Sequence, residues 1–583
     1  MSQSSARVVP SWISSIIFRA KASLLQVNRA ASDLTTGIRR FSKSNCEGFD
    51  TLIAEARSFL WKVEDTGETS LQLGKVQNLR CAVREINGIM VPAGGIFSFW
   101  RQVGKTNTRK GYTIGRELRE GCLIPSVGGG LCQLSNTLYD AVLKARFQVI
   151  ERHAHSKVIP GSAAAEGRDA TVFWNYVDFR FAPSCSLYIE AFLTREELVI
   201  RFLGNESCST AEQEASSQLV VLTQKKSPAS HTVNNCFDCG VEACFRHSSR
   251  PSNVRDVTRT AFVLDEHWLE YDDYLARAYK SKDIICIPLN GVRWNKSNYA
   301  WNLPSDCQLH TAEWETIVRA FQTRRLGEYG ARRLQAQLES AEAIASHFGK
   351  RLPSEADRIC VSQTLLPYLW NGGYLGGRTF DVLMTRQPLH ALHEKLELAA
   401  ETWPEHSTLS EYRAPEWIVR AEKAALDAAD HIITPHSDIQ SMFKHKTVAV
   451  PWHMPAPQSV SRGRSVLFPG PTAARKGAFE LREVARELDL EILLTGKELE
   501  GDKFWSGIRT KHVNYPSLAA IGTVVQPALL EDRPRTLLRA IACGLPVIAT
   551  RACGLSNFPE VRHVEFGNKS DLKAAITATL YSE

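Results

Sequence analysis

The chain has 583 residues and a formal net charge of +7, length enough for three or four domains of ordinary size. Hydrophobic residues make up 44% and charged residues 23%, a globular balance that excludes disordered and fibrous chains. The charge is mild for this length: it admits anionic substrates such as nucleotide sugars and does not point to nucleic acid. No stretch has the length and apolarity of a transmembrane helix. The 14 cysteines are scattered, and with no secretory signal they are expected to stay reduced.

Residues 1–45 form a basic amphipathic segment. Trp12, Ile13, Ile16, Ile17, Leu24, Leu25 and Val27 mix with Arg7, Arg19, Lys21 and Arg29, and the first acid is Asp33. The segment lacks the apolar core and cleavage site of a signal peptide. It reads as a helix packed on the next domain or a frayed tail. The rival readings are peripheral membrane contact through residues 7–29, or a transit peptide. Gly48 to Leu73 is expected to hold a helix and a polar turn.

The chemistry concentrates at Gly128-Gly129-Gly130-Leu131-Cys132-Gln133-Leu134-Ser135-Asn136-Thr137-Leu138-Tyr139. Three glycines let the backbone approach something closely or turn sharply. Leu134, Leu138, Ala141, Val142 and Ala145 then recur at helix spacing. Cys132 therefore sits at or just before a helix N-terminus, where the dipole and free N–H groups favour a thiolate. A strand is expected over Val149 to Ser156, with His153 and His155 on one face. A small-residue loop, Pro160 to Gly167, leads to a second strand at Asp169 to Trp174. Glycine turn, Cys, helix, His strand and acid strand follow the layout of Cys-His-Asp enzymes of the transglutaminase and papain-like kind. Cys132, His153, His155 and Asp169 are the candidate catalytic residues, and helix-end N–H groups could hold an oxyanion. The bland alternative is a small buried cysteine in a tight turn and histidines in ordinary strand positions.

Residues from about Lys75 to Asn205 resemble a VanW domain, named for glycopeptide-resistance clusters. The pieces that carry the resemblance are Asn78-Leu79, Ile86-Asn87-Gly88, Pro92 to Phe99, Val103-Gly104 and Arg109 to Tyr112. The glycine–cysteine block, Glu151 to Ser156 and Gly167 to Ala170 complete it. The resemblance implies a cell-envelope context and no defined reaction. Two strand-like runs, Leu187 to Leu193 and Leu198 to Phe202, close the domain near Gly204-Asn205.

Ser207 to Ser230 is polar and reads as a linker with one short strand, Leu219 to Leu222. Next comes a Cys-x-x-Cys pair, Cys236 and Cys239, followed by Cys244 and His247. Four such ligands suit a tetrahedral zinc site or an iron–sulfur cluster. A redox pair or a chance cluster is the rival reading.

After Arg259, strands alternate with helices. Strands are expected at Thr260 to Asp265, Ile284 to Leu289, Arg358 to Ser362, Phe380 to Met384 and His431 to Ser437. Helices are expected at Thr311 to Thr323, Arg332 to Ala345 and Trp417 to Ala429. This alternation argues for a doubly wound parallel sheet. Asp265, Glu266 and His267 follow the first strand, where a base could face the cleft. The glycine-rich Gly372 to Arg378 could close over a ligand or be a plain loop.

A second unit starts near Val466. It takes strands at Ser465 to Gly470, Glu491 to Thr495, Val524 to Pro527 and Leu545 to Thr550, and helices at Ala478 to Leu488 and Arg535 to Cys543. Two such domains facing a cleft look like the GT-B fold. This half resembles family 1/4 glycosyltransferases through Arg475-Lys476-Gly477, Glu531 and Ala542 to Val547. The resemblance implies that Lys476, with Arg475 beside it, binds the donor diphosphate and that Glu531 serves the sugar. The family's second acid, which holds the nucleotide ribose, falls at Arg539, where a cation could contact phosphate instead.

The expected architecture is an α+β VanW-like domain with a transglutaminase- or papain-like core, then two doubly wound α/β domains. The boundaries are 1–45, 46–205, 206–258, 259–455 and 456–583. The function expected is sugar transfer from a nucleoside-diphosphate sugar to an envelope glycan, glycolipid or glycopeptide, in the cytoplasm or at the inner face of the membrane. The rivals are a non-catalytic glycan or nucleotide binder and a cysteine acyl-transferase or peptidase-like enzyme on peptide stems.

Overall fold

The computed structural model describes residues 12–61, 69–119, 122–155, 167–205, 234–235, 258–326, 331–411, 413–460, 463–513 and 521–581. The chain divides into two compact units. The first comprises Met1–Arg259 with Lys350–Asp357 and Gly372–Arg378, and the second Thr260–Gly349, Arg358–Asn371 and Thr379–Glu583.

The first unit is α+β with antiparallel sheets. Its strands are β1 (Thr51–Phe59), β2 (Ile89–Val91), β3 (Phe97–Ser98), β4 (Ile114–Arg119), β5 (Cys122–Val127), β6 (Gln148–Glu151), β7 (Arg180–Ala182), β8 (Leu187–Leu193), β9 (Glu197–Gly204) and β10 (Asn234–Asn235). They form three sheets, ordered β1-β9-β8-β2, β3-β7-β6 and β10-β5-β4. Alternation is clearest in β8, where every second residue from Leu187 to Leu193 is buried. Phe97, Phe99, Phe179, Phe181 and Phe202 fill the core between these strands and the helices Thr69–Ile86 and Cys132–Lys144.

Three expectations are corrected by this unit. Gly48 to Leu73 holds a strand as well as the start of a helix, because β1 pairs antiparallel with β9 and turns Ala54 and Ala56 inward. The histidine strand ends at Glu151, and Asp169 to Trp174 is irregular apart from a bridge between Phe173 and Val177. Cys185 is disulfide-bonded, against the expectation of reduced thiols. The N-terminal helix, Trp12–Thr35, packs on this unit: Arg29 grips Glu151 at 2.5 and 2.6 Å, and Asp33 pairs with Arg180 at 2.6 Å.

The second unit holds two parallel sheets. The first runs β13 (Gln308–Thr311), β12 (Ile284–Ile287), β11 (Arg259–Val263), β14 (Ala356–Ser362), β15 (Thr379–Leu383), β16 (His431–Thr434), β17 (Thr447–Ala449). The second runs β20 (Arg509–His512), β19 (Glu491–Leu494), β18 (Ser465–Phe468), β21 (Ile521–Gln526), β22 (Val547–Ala549), β23 (Val561–His563). Both reverse direction at their first strand, the doubly wound order that puts ligands beyond the carboxyl ends of the central strands. Their central strands are buried apolar runs, as strands covered on both faces must be. This is the GT-B architecture expected from the alternation.

Cys236, Cys239, Cys244 and His247 lie outside the described residues, as do the expected strand Leu219 to Leu222 and most of the loop from Pro160. Among the described residues no group of three His, Cys, Asp or Glu is placed to hold a metal ion, and no helix is long and apolar enough to cross a membrane. The glycine-rich Gly372 to Arg378 belongs to the first unit. There Arg80 donates to the carbonyl oxygens of Gly376 and Gly377 at 2.5 and 3.4 Å, so the loop is engaged by a buried guanidinium.

Candidate functional sites

In the first unit the triglycine turn is pressed against the helix Thr69–Ile86. Gly128 and Gly130 have φ of 83° and 99°, open chiefly to glycine. A Cβ on Gly130 would come within 2.2 Å of the Lys75 side chain. Buried Asn78 clamps the turn, donating to Gly129 O at 2.9 Å and Thr113 O at 3.0 Å and accepting from Thr113 N at 2.8 Å. The turn delivers Cys132 as the first residue of a helix that has no side-chain cap. The amides of Gln133, Leu134 and Ser135 are taken up by Gly130 O and Leu131 O, so what this end offers an anion is chiefly the positive end of the helix dipole.

The first turns of that helix also fix the acidic segment. Ser135 Oγ donates to Ala170 O at 2.5 Å, Asn136 Oδ1 accepts from Ala170 N at 2.7 Å, and Cys132 Sγ lies 3.7 Å from Val172 O. Thr171 N donates to His153 O at 2.7 Å, which draws the histidine segment alongside. Asp169, almost wholly buried, then meets His155 twice: from the backbone N–H and at ring Nδ1, both at 2.5 Å. Burial works against a charge on His155, but the bonds to Asp169 and to the Cys132 side chain outweigh it and hold its pKa up at about 10. Cys132, His155 and Asp169 therefore come together. His153 does not join them. Its exposed ring lies 3.0 Å from Glu151 because the chain has left the strand before reaching it.

In the second unit a cavity of about 360 Å³ opens between the two sheets' domains. Glu266, Trp268, Thr385 and Arg386 line it from the first, and Lys476, Glu531, Asp532 and Arg533 from the second. All follow the carboxyl ends of strands: β11, β15, β18 and β21. Lys476 precedes Gly477, which has a φ of 77° and packs so tightly on Pro527 that a Cβ would stand 2.2 Å from Pro527 O. Only glycine fits there. The helix Ala478–Glu487 starts at that point without a side-chain cap.

Lys476 Nζ donates to Leu530 O at 2.7 Å and to Glu531 Oε2 at 3.0 Å. Glu531 also accepts from Gln526 Nε2 at 2.5 Å and Arg533 N at 2.9 Å. Burial would raise its pKa, yet Lys476 and these donors bring it below the usual range. Burial pushes Asp532 the other way, with Lys476 only partly offsetting it. His436, buried, reaches Glu531 O with Nε2 at 3.1 Å and steadies this loop. Across the cavity Arg533 lies over Trp268, 4.5 Å from its centroid, and 3.0 Å from Glu266.

Arg475 and Arg539 are not among the lining residues. Arg539 donates to Gln458 at 3.0 Å, and Arg475 has one buried guanidinium nitrogen without a partner. Asp265 is held by Arg319 at 2.6 and 3.1 Å and by Thr364 at 2.8 Å, and His267 by Asp272 at 2.8 Å. Of Asp265, Glu266 and His267, Glu266 alone lines the cavity. Sequence reasoning missed Trp268, Arg386, Asp532 and Arg533. Only the last two carried a local signal, their place next to Glu531.

Behind Lys476, Glu480 is buried in the first turn of its helix, with Oε1 accepting from Gly567 N at 2.6 Å and Oε2 unpartnered. Burial raises its pKa to about 8. The folded state thus holds a proton that the unfolded chain releases near 4.5, and stability falls as pH rises from there to about 8. Glu480→Gln should remove a penalty on the order of a few kcal/mol above that window and nothing below it. Unfolding curves at both ends of the range check this; equal pH slopes for the two proteins would refute it.

Residues 74–203 match the family model described as VanW like protein. Over 104 residues the chain is 38% identical to the uncharacterized protein YoaR of Bacillus subtilis (strain 168), covering 18% of this chain and 34% of that one. Over 135 residues it is 32% identical to the vancomycin B-type resistance protein VanW of Enterococcus faecalis (strain ATCC 700802 / V583), covering 22% and 48%. The chain thus spans about a third to a half of the length of these curated relatives. Among solved structures it is similar to the lipopolysaccharide outer core galactosyltransferase WaaB, with TM-score 0.34, 12% identity and 55% and 90% of the two chains covered. An α,α-trehalose-phosphate synthase (UDP-forming) from Burkholderia vietnamiensis gives 0.32, 10%, 56% and 92%. Arabidopsis thaliana UGT89C1 complexed with UDP-L-rhamnose gives 0.32, 10%, 56% and 90%. A VanW-like domain is therefore joined in one chain to two doubly wound domains.

Proposed function

We propose that the second unit is a glycosyltransferase that moves a sugar from a nucleoside-diphosphate sugar to an envelope glycan, glycolipid or glycopeptide. The observation that carries this is the cleft cation Lys476, set at an uncapped helix end with the Glu531 carboxylate 3.0 Å from its ammonium. Two protons of the ammonium serve Leu530 O and Glu531; the third is left for a ligand oxygen. Lys476 and the helix amides hold the diphosphate. Glu531, kept ionised by Lys476, accepts from sugar hydroxyls. Arg475 and Arg539 stand outside the cavity lining and add positive charge for phosphate at longer range. Arg539 replaces a ribose-binding acid, so the nucleoside is gripped through phosphate more than through ribose. Asp532, held toward its protonated form by burial, faces the same space and can pass a proton to or from the reacting oxygen.

Beside it, the first unit acts as a cysteine acyl-transfer or peptidase-like module. His155, oriented by Asp169, activates Cys132, and the positive end of the helix dipole favours the developing oxyanion. A fused pair of this kind suits an acceptor that carries both sugar and peptide or acyl groups. Exposed Leu24, Leu25 and Val27 on the N-terminal helix suit contact with the inner face of a membrane.

Calorimetric titration with a panel of uridine, guanosine and thymidine diphosphate sugars tests the donor half. Binding of one sugar nucleotide, with slow hydrolysis or transfer, is the expected result. Silence across the panel would leave a scaffold that holds glycan without turnover.

A further inference from the structure

The helix Glu313–Arg325 is amphipathic in the reverse sense for a helix lying on a sheet. Its polar side chains point inward: Thr316 donates to Pro288 O at 2.9 Å, Arg319 forks onto Asp265, and Glu315 meets His347 at 2.6 Å. Its apolar side chains point outward. Trp314 is 73% exposed and Phe321 56%, with Ile317 and Val318 exposed between them. These four positions follow helix spacing and make one continuous stripe, the composition a helix ordinarily buries.

Cations rim the stripe. Arg324 and Arg325 are exposed at its end, with the Arg325 guanidinium 4.2 Å from the Phe321 ring. The loop after β12 starts beside the helix, since Ala312 N and Thr316 Oγ1 both bond to Pro288 O. That loop exposes Val292, Arg293, Trp294 and Lys296. Within the helix itself the acids Glu313 and Glu315 are half-buried, and Glu315 is taken up by His347.

We infer that this face docks on a lipid bilayer carrying anionic headgroups. Indole and phenyl rings favour the boundary between headgroup and acyl chain, and arginines at the rim meet lipid phosphates. A second copy of the chain would set cationic rim against cationic rim, which opposes self-association. The inference stands on this face alone and does not depend on the sugar-transfer reading.

The test is co-sedimentation of the full chain with vesicles of phosphatidylcholine alone and of phosphatidylcholine with phosphatidylglycerol. Binding should appear with the anionic vesicles and weaken with salt. Arg324→Gln with Arg325→Gln should lower the partition coefficient about thirtyfold, and Trp314→Ser with Phe321→Ser at least about tenfold. Both pairs are exposed, and circular dichroism confirms that the variants are folded. Leu24→Ser with Leu25→Ser controls for the N-terminal helix. Equal partitioning of wild type and both helix variants, binding lost only in the Leu24/Leu25 variant, or a Trp314-dependent dimer in sedimentation equilibrium without vesicles would each overturn the inference.

Discussion

Replacing His155 with Ala should slow alkylation of Cys132 by iodoacetamide about a hundredfold near neutral pH, the scale on which an adjacent cation changes a thiol's reactivity. The expectation comes from three contacts. Asp169 holds the ring at Nδ1 and the backbone N–H of the same residue. It thereby fixes the orientation of the ring and leaves Nε2 for the sulfur. His155 keeps its charge up to about 10, so near neutral pH it acts on the sulfur as a neighbouring cation and not as a proton acceptor. Peptide mapping gives the site-resolved rate, and exposed Cys46 serves as an internal reference in each sample. Asp169→Asn should give an intermediate loss, since it keeps a partner for the ring but removes the charge. His153→Ala should leave the rate unchanged, because that ring faces Glu151. If Cys132 reacts equally fast in wild type and His155→Ala, the sulfur and the imidazole do not work together.

The sequence separates these two histidines poorly, and the reason is geometric. Alternation along a strand puts His153 and His155 on one face, but β6 stops at Glu151 and the chain then turns to meet Asp169. The bond from Thr171 N to His153 O and the grip of Ser135 and Asn136 on Ala170 decide which ring reaches the cysteine. Those are contacts between segments far apart in sequence, which no local period encodes. The doubly wound half is easier to read because its central strands are buried on both faces and show as plain apolar runs, such as Ile284–Ile287. Edge strands escaped: Arg509–His512 is exposed along its whole length and has no apolar run to betray it. The cleft was half legible. Lys476 and Glu531 sit in a recognisable order, whereas Trp268 and Arg386 come from the ends of two different strands and converge only in the fold.

Lys476→Ala should weaken binding of the sugar nucleotide, or slow its turnover, by about a hundredfold to a thousandfold, as loss of a cation preorganised for phosphate does. The same change should destabilise the protein, because Glu531 would keep its burial while losing the partner that holds it ionised. The two effects can be separated. In Lys476→Ala combined with Glu531→Gln the stranded charge is gone, so thermal stability should recover while donor affinity stays low. Glu531→Gln alone should retain diphosphate affinity, since Lys476 still donates to Leu530 O and has a proton to spare, but should lose discrimination between sugars. Lys476→Arg should not rescue, because the planar guanidinium cannot follow the short path to Leu530 O beside Gly477. Titration calorimetry read beside melting temperature, across wild type, Lys476→Ala, Glu531→Gln and the double variant as a double-mutant cycle, isolates the coupling between the two side chains. Donor affinity unchanged in Lys476→Ala would place the nucleotide elsewhere and leave this ion pair as a structural strut.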